Sequence, residues 1–478
     1  MLHGLGEGAV VGTGAGSHRV HSPTAMRGSG GSEIELPARR CRTVGSAASI
    51  FGGRDHMRRM SLPARTDTVV VGAGQAGLVM SQLLSRAGRD HVVLERRTTL
   101  GGGWQDRWDA FRLVTPNWVA SLPGQPYDGA EPDGFMGRDE IAARVAAYGD
   151  AIDAPVALGV EVTRLGLASD GGFEIETGDR AVRAERVVVA TGGYHVPRLP
   201  ALASTLPADV TQLHSHDYRH PSSLPAGGTL VVGSGQSGVQ IAEELVEAGR
   251  DVVLSVGGAG RIPRRYRGRD IFRWLADIAI HGPEFGLGLP TVDVLPDPRA
   301  RLAPNPHLSG HGGGHTVDLR RLAADGMTLA GRVEGASGHT LRIAGDLAHN
   351  LDHADAYFGA GPQQLIERFI AAAGIDAPPD DAVATRFDPP QIDRLDLRDA
   401  GISTVIWATG YRLDFSWIDL PIFDELGFPR HRRGVTEVPG LGFLGLPWQH
   451  TQASATLLGP MLDGPHVAAA MGVALARA

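Results

Sequence analysis

Two six-residue groups contain the residues best suited to chemistry. They are GAGQAG over 72–77 (Gly72, Gly74, Gln75, Gly77) and GSGQSG over 233–238 (Gly233, Gly235, Gln236, Gly238). Each follows an apolar run, TVVV from Thr68 or TLVV from Thr229, and precedes a helix-compatible stretch, LVMSQLLSRAG or VQIAEELVEAG. A strand feeding a glycine turn and then a helix aims backbone N–H groups and the positive helix end at a pyrophosphate. The first glycine allows the tight turn, the second a close backbone approach, and the third the helix–strand contact. One such unit binds one dinucleotide, so two in one chain point to electrons passing between two dinucleotides.

The residues closing each ribose site differ. Glu95 lies 23 residues after Gly72, at the end of HVVLE (His91 to Glu95). A carboxylate there holds both ribose hydroxyls of an adenosine and repels a 2′-phosphate, so this site suits FAD or NAD rather than NADP. A surface glutamate at a strand end is the plain alternative. In the second unit the equivalent place reads as Ser255, 22 residues after Gly233, and carries no charge. Beyond it comes RIPRRYRGR, with Arg261, Arg264, Arg265, Arg267 and Arg269. A neutral ribose position with guanidinium nearby predicts NADPH in the second fold, with Arg261, Arg264 and Arg265 as candidates for its phosphate. The alternatives are a solvated arginine loop or a nucleic-acid patch. The second is disfavoured, because aromatic interleaving is limited to Tyr266.

The elements that must position these groups recur in order. RVVVATGG (Arg186 to Gly193) follows the first unit and TVIWATGY (Thr404 to Tyr411) the second. The pattern predicts an α/β protein of two Rossmann-like dinucleotide-binding domains, the NADPH domain inserted into the FAD domain. The expected boundaries are 64–195 for the first part of the FAD domain, 196–390 for the NADPH domain with an insertion, and 391–478 for the second part. Paired strands crossing between the domains would form a hinge. Residues 1–63 read as a disordered extension, or as the product of a start codon upstream of Met57 or Met60. No uninterrupted apolar stretch marks them as a signal peptide. The stretch 282–390 offers Gly/Pro/His-rich loops and one amphipathic helix candidate near 362–373.

Composition removes several classes. The formal net charge of −8 gives no global attraction to nucleic acid or an anionic membrane. The chain has no lysine, which excludes Schiff-base chemistry and a P-loop lysine. Its single cysteine, Cys41, permits neither an internal disulfide nor a dithiol relay, and fits a cytoplasmic setting. No apolar run reaches the ~20 residues of a membrane span. HGGGH (His311 to His315) resembles an esterase oxyanion loop, but no GxSxG accompanies it. His349 and His353 have ligand spacing without an intervening glutamate, so no metal is expected.

A further glycine group, GGGW (Gly101, Gly102, Trp104), follows Glu95. With the first turn, Glu95 and both ATG turns, it makes the chain resemble the flavin-containing monooxygenases. More closely, it is similar to a bacterial group of flavoproteins described as involved in cation transport. RLVTPNW (Arg112 to Trp118), LHSHDYR (Leu213 to Arg219), GRIPRRYRGRD and GLGFLGLPW (Gly440 to Trp448) extend the resemblance over most of 66–459. It implies that Gly101, Gly102 and Trp104 lie along the FAD pyrophosphate and ribityl region, with Gly410 of the second ATG turn also beside cofactor. It sets Asn117 near the flavin as the candidate catalytic residue; an asparagine after proline is equally a good turn residue. His214 and Tyr218 match the end of the fingerprint FxGxxxHxxx(Y/W), while Ala208 and Val210 depart from its start. His214 is expected to be a linker histidine holding the domains together. The implied activity is NADPH reduction of FAD, then activation of O2 through a C4a-(hydro)peroxyflavin that oxygenates a small organic substrate. The alternatives are an NADPH dehydrogenase serving a quinone or carrier protein, and a flavin redox sensor tied to cation transport.

Overall fold

The structure, a computed structural model, describes residues 62–178, 180–380 and 385–473. The expected N-terminal extension, with Cys41, lies outside the described residues except for its last two positions. β1 (Arg65–Val71) feeds α1 (Gln75–Arg86) and then β2 (His91–Glu95), which lies parallel to β1. Val69 and Val70 have no exposed surface and β2 is buried along its whole length. A run of β-branched residues covered on both faces is what a central parallel strand requires. After α2 (Arg138–Ala151), β3 (Val156–Leu158) extends the sheet beside β2. An antiparallel meander of β4 (Arg164–Leu167) and β5 (Phe173–Thr177) turns into β6 (Arg180–Val189), which runs parallel to β1 on its other side. The chain then leaves through β7 (Val196–Pro197).

The second fold repeats the plan. β8 (Thr211–His214), β9 (Gly228–Val232), α3 (Gln236–Glu247) and β10 (Val252–Ser255) come first. The hairpin β11 (Arg265–Tyr266) and β12 (Arg269–Asp270), α4 (Ile271–His281), α5 (Leu319–Ala324) and β13 (Thr328–Ala330) follow. Next are β14 (Val333–Ser337), β15 (Thr340–Ile343), α6 (Leu347–Ala360), α7 (Pro362–Ala373), β16 (Arg394–Asp396) and β17 (Ile402–Trp407). The sheet order is β13-β10-β9-β17-β8, all parallel, with β14, β15 and β16 forming a separate antiparallel sheet. α7 fulfils the amphipathic pattern: Ile366, Phe369 and Ile370 share a core cluster with Trp274 and Ile278 of α4.

β18 (Tyr411–Arg412) pairs antiparallel with β7, so the chain returns beside the place it left. β19 (His431–Arg432), β20 (Val435–Thr436) and β21 (Leu441–Phe443) complete the first sheet, β21 lying parallel to β6. α8 (Gly459–Ala470) packs on α1, with Gly464 against Val79 and Leu83. The two Rossmann-like domains are therefore one inserted into the other. The return does not fall at 391, however. β17, the second ATG strand, lies between β9 and β8 in the second sheet, and the crossing back follows it at 408–411. The reason is local: Ala408 O flanks Gly233 just as Ala190 O flanks Gly72, so each glycine turn has its own ATG strand end beside it.

Candidate functional site: two glycine turns

At the first turn Gly72 has φ +101°, and a Cβ on Gly77 would stand 1.8 Å from Gly72 O. Only glycine permits that conformation and contact. α1 begins after Gly74 with no side-chain cap, so its first N–H groups are available to an anion. Glu95 is 7% exposed. Its Oε2 accepts the Ala73 N–H at 2.8 Å and its Oε1 the Arg97 N–H at 2.9 Å, clamping the strand end to the turn. Gly102 backs onto Gly74, whose Cα would lie 3.1 Å from an added Cβ, and Trp104 Nε1–H donates to Gln75 Oε1 at 3.0 Å. Gly101 adopts φ +120° just before them. The structure thus gathers Gly72, Gly74, Gln75, Gly77, Glu95, Gly101, Gly102 and Trp104 around one turn.

The second turn, with Gly233, Gly235, Gln236 and Gly238, is nearly congruent. Gly233 has φ +106°, and a Cβ on Gly238 would stand 1.9 Å from Gly233 O. Its registry corrects one expectation. Gly72 N–H donates to Leu94 O, and Gly233 N–H donates to Ser255 O. Ser255 therefore corresponds to Leu94, and the counterpart of Glu95 is Val256, which is fully buried. The Ser255 hydroxyl instead donates to Gly331 O at 2.9 Å. The ribose position remains uncharged, but through valine. Ser234, the counterpart of Ala73, supplies a neutral tie by accepting the Gly257 N–H on Oγ at 2.9 Å.

The arginine run divides by environment. Arg261 pairs with Asp318 and Asp355, both at 2.8 Å. Arg264 is 3% exposed and pairs with Asp270 at 3.0 Å, while its two terminal nitrogens donate to Val114 O at 2.7 and 2.8 Å. Those partners commit its guanidinium to holding the 114–135 region against the second fold, not to a ligand. Arg267 pairs with Glu367 and Arg269 with Asp277. Arg265 is the exposed member of the run.

Asn117 is buried, and its Oδ1 accepts the Met136 N–H at 2.7 Å while Nδ2 donates to Glu131 O at 2.9 Å. Both ends of the amide hold the 131–136 loop, which is the turn-residue role. His214 accepts the His216 N–H on Nδ1 and bonds Gly410 O through Nε2, both at 3.0 Å. Because Nδ1 is an acceptor, the proton resides on Nε2 and the ring is neutral. Gly410 O also accepts the Arg198 N–H at 2.9 Å, so both residues fasten the crossing. Tyr218 is fully buried. His311 and His315 pair with Glu247 and Glu243 on α3, and His349 and His353 lie exposed on α6.

Sequence reasoning missed His307. It has no exposed surface and bonds Ser234 O through Nε2. No periodicity marks it, and the sequence around it has the Gly/Pro/His-rich composition of a loop. Burial lowers its pKa from 6.5 to about 4, and that of His431 likewise to about 4. A folded-state value below the unfolded one means their contribution is present in full above pH 6.5 and is lost as pH falls toward 4. The midpoint of thermal unfolding is accordingly expected to drop across pH 6.5 to 4. His307→Gln should flatten that drop in a pH series of melting curves.

Comparisons with known proteins find relatives over most of the chain. The family described as pyridine nucleotide-disulphide oxidoreductase matches residues 69–269. An uncharacterized oxidoreductase CzcO-like protein of Geobacillus kaustophilus is 32% identical over 405 residues, 84% of this chain and 97% of its own. The indole-3-pyruvate monooxygenase YUCCA1 of rice, Oryza sativa, is 28% identical over 218 residues, 43% of this chain and 53% of its own. The solved flavin-containing monooxygenase of Stenotrophomonas maltophilia shares the fold at TM-score 0.56 and 21% identity, covering 86% of this chain and 99% of that one. Among the described residues no helix is long and apolar enough to cross a membrane.

Proposed function

Because this chain belongs to the CzcO-like oxidoreductase family, we propose that it binds FAD at the first turn and NADPH at the second, and oxygenates a small organic substrate. The observation that carries this reading is the unequal closure of two matched turns, Glu95 at one and Val256 at the other. The residues present fit such ligands. Around the place a Gly74 Cβ would occupy there is open space for 4 Å, and the α1 N–H groups beside it are uncapped. Each Glu95 oxygen accepts one backbone N–H and retains a second acceptor site for a ribose hydroxyl. At the second turn Val256 presents no charge to repel a 2′-phosphate, and Arg265, the exposed arginine of the run that follows, is assigned to that phosphate. Bound FAD would supply the redox centre that accepts a hydride from a nicotinamide and reacts with oxygen. The chain's own part is to hold both dinucleotides and exclude water. The lack of a cysteine pair leaves no disulfide relay, and the monooxygenase names of its relatives support oxygen as the acceptor.

The test is a reduction–reoxidation experiment. The purified protein should be yellow, bleach anaerobically with NADPH, and on admission of oxygen yield oxygenated product from a thioether, amine or ketone panel. Prompt reoxidation with peroxide and no product would favour a dehydrogenase; no bleaching by NADPH would defeat the proposal. For Arg265→Ala the apparent KM for NADPH should rise about tenfold, with little change for NADH. An equal rise for both nicotinamides would remove Arg265 from the 2′-phosphate site.

A further inference from the structure

We propose that His307 is a positioning residue for the second glycine turn, acting through Ser234 to set the turn's affinity for a nicotinamide dinucleotide. This rests on the functional reading above. At the first turn the carboxylate of Glu95 grips the Ala73 N–H. The second turn has Val256 in that place; the Ser234 hydroxyl ties it to the strand end through the Gly257 N–H, which leaves the Ser234 peptide to be fixed by a separate anchor. His307 supplies it from the opposite side of the residue, bonding the carbonyl of Ser234. A peptide unit is planar and trans, so fixing the Ser234 carbonyl directs the Gly235 N–H the other way. That N–H belongs to the set which a glycine turn presents to a pyrophosphate.

The anchor is itself braced. His307 N–H donates to Gly260 O at 2.7 Å, and the adjoining Arg261 and His307 form a parallel bridge. Leu308 N–H donates to Gln236 Oε1 at 3.2 Å, and Gln236 Nε2 donates back to Leu308 O. Residues 234 and 236 are thus both tied to the pair 307–308, on either side of Gly235. The imidazole proton lies on Nε2, because a carbonyl can only accept.

The same segment permits an opposing account with the opposite sign. Pro304 Cβ lies 3.6 Å from where a Gly235 Cβ would stand, so the segment reaches over the turn. If it served merely to cover the site, loosening it would strengthen nucleotide binding.

The experiment compares wild-type flavoprotein with His307→Ala and His307→Gln in steady-state kinetics with NADPH varied. Flavin content serves as a measure of intact folding. His307→Ala should raise the KM for NADPH about tenfold, the effect of one lost buried hydrogen bond with a stranded acceptor, while kcat stays within about twofold. His307→Gln, which keeps an N–H at the Nε2 position, should recover most of the loss. Should the alanine variant fail to fold, His307→Asn carries the test, since its amide is too short to reach Ser234. An unchanged or lowered KM, a parallel fall in kcat, or a glutamine variant no better than alanine would overturn the proposal alone. Wild-type protein that neither binds nor oxidises NADPH would overturn the functional reading and this proposal with it.

Discussion

Replacing Arg264 with alanine is expected to destabilise the protein by about 3–5 kcal/mol, the usual cost of breaking a buried ion pair by removing one partner. Burial lowers the Arg264 pKa to about 10, which leaves the guanidinium charged at neutral pH. Burial also raises the Asp270 pKa, so that carboxylate depends on its partner. The same guanidinium lies over the rings of Phe135 and Phe272, 4.7 and 5.5 Å from their centroids. Val114 and Phe135 precede α2 in the first domain's sequence, whereas Asp270 and Phe272 belong to the second. The substitution therefore removes a charge, two hydrogen bonds and a ring contact that join the two. The thermal midpoint should fall by many degrees while the NADPH-to-NADH preference of the surviving protein stays unchanged. Adding Asp270→Ala should restore part of the loss, since it removes the stranded carboxylate. A large change in nicotinamide preference with unchanged stability would instead make Arg264 a ligand-binding group.

Replacing Glu95 with alanine should lower the affinity for FAD by about 100-fold or more. Each charge-assisted hydrogen bond contributes roughly 1.5–3 kcal/mol, and this carboxylate makes one to the turn at Ala73 and one to Arg97 beyond the strand end besides those proposed to the ribose. Glu95→Gln keeps the shape and removes the charge, so it should retain more flavin than the alanine variant, at about tenfold weaker affinity. The flavin-to-protein absorbance ratio after purification, and titration of the stripped protein with FAD, give both numbers. Full flavin content in Glu95→Ala would move the flavin away from the first turn.

Much of this was legible because the glycine turns demand glycine: positive φ at Gly72 and Gly233 and the contacts of Gly77 and Gly238 tolerate no side chain. Glu95 was legible for a related reason, since the spacing from turn to strand end is set by one helix and one loop. The second strand end was misread by one residue because registry is a property of paired backbones, and Ser255 and Val256 are both compatible with a buried strand. The membership of β17 was hidden by symmetry, because the two ATG strands look alike and either could belong to either sheet. Arg264 and Arg265 are neighbours of the same type, and only packing separates a buried structural cation from an exposed one. The region around His307 carried no period to read. It is held by side chains bonding to backbone, such as His307 to Ser234 and Gln236 to Leu308, which leave no repeating pattern in the residues.

The adjacent crossings β7 and β18 have a consequence for how the protein is made. The second sheet is complete once β17 has left the ribosome, at residue 407. The first sheet still awaits β21 at 441–443, and α1 awaits α8 at 459–470. At the usual 5–20 residues per second those elements emerge roughly 2–13 s later. The inner nucleotide fold is therefore born first and matures while the outer one is an open half-sheet, the 187–189 end of β6 still lacking β21 beside it. The domain that begins the chain is the last to close.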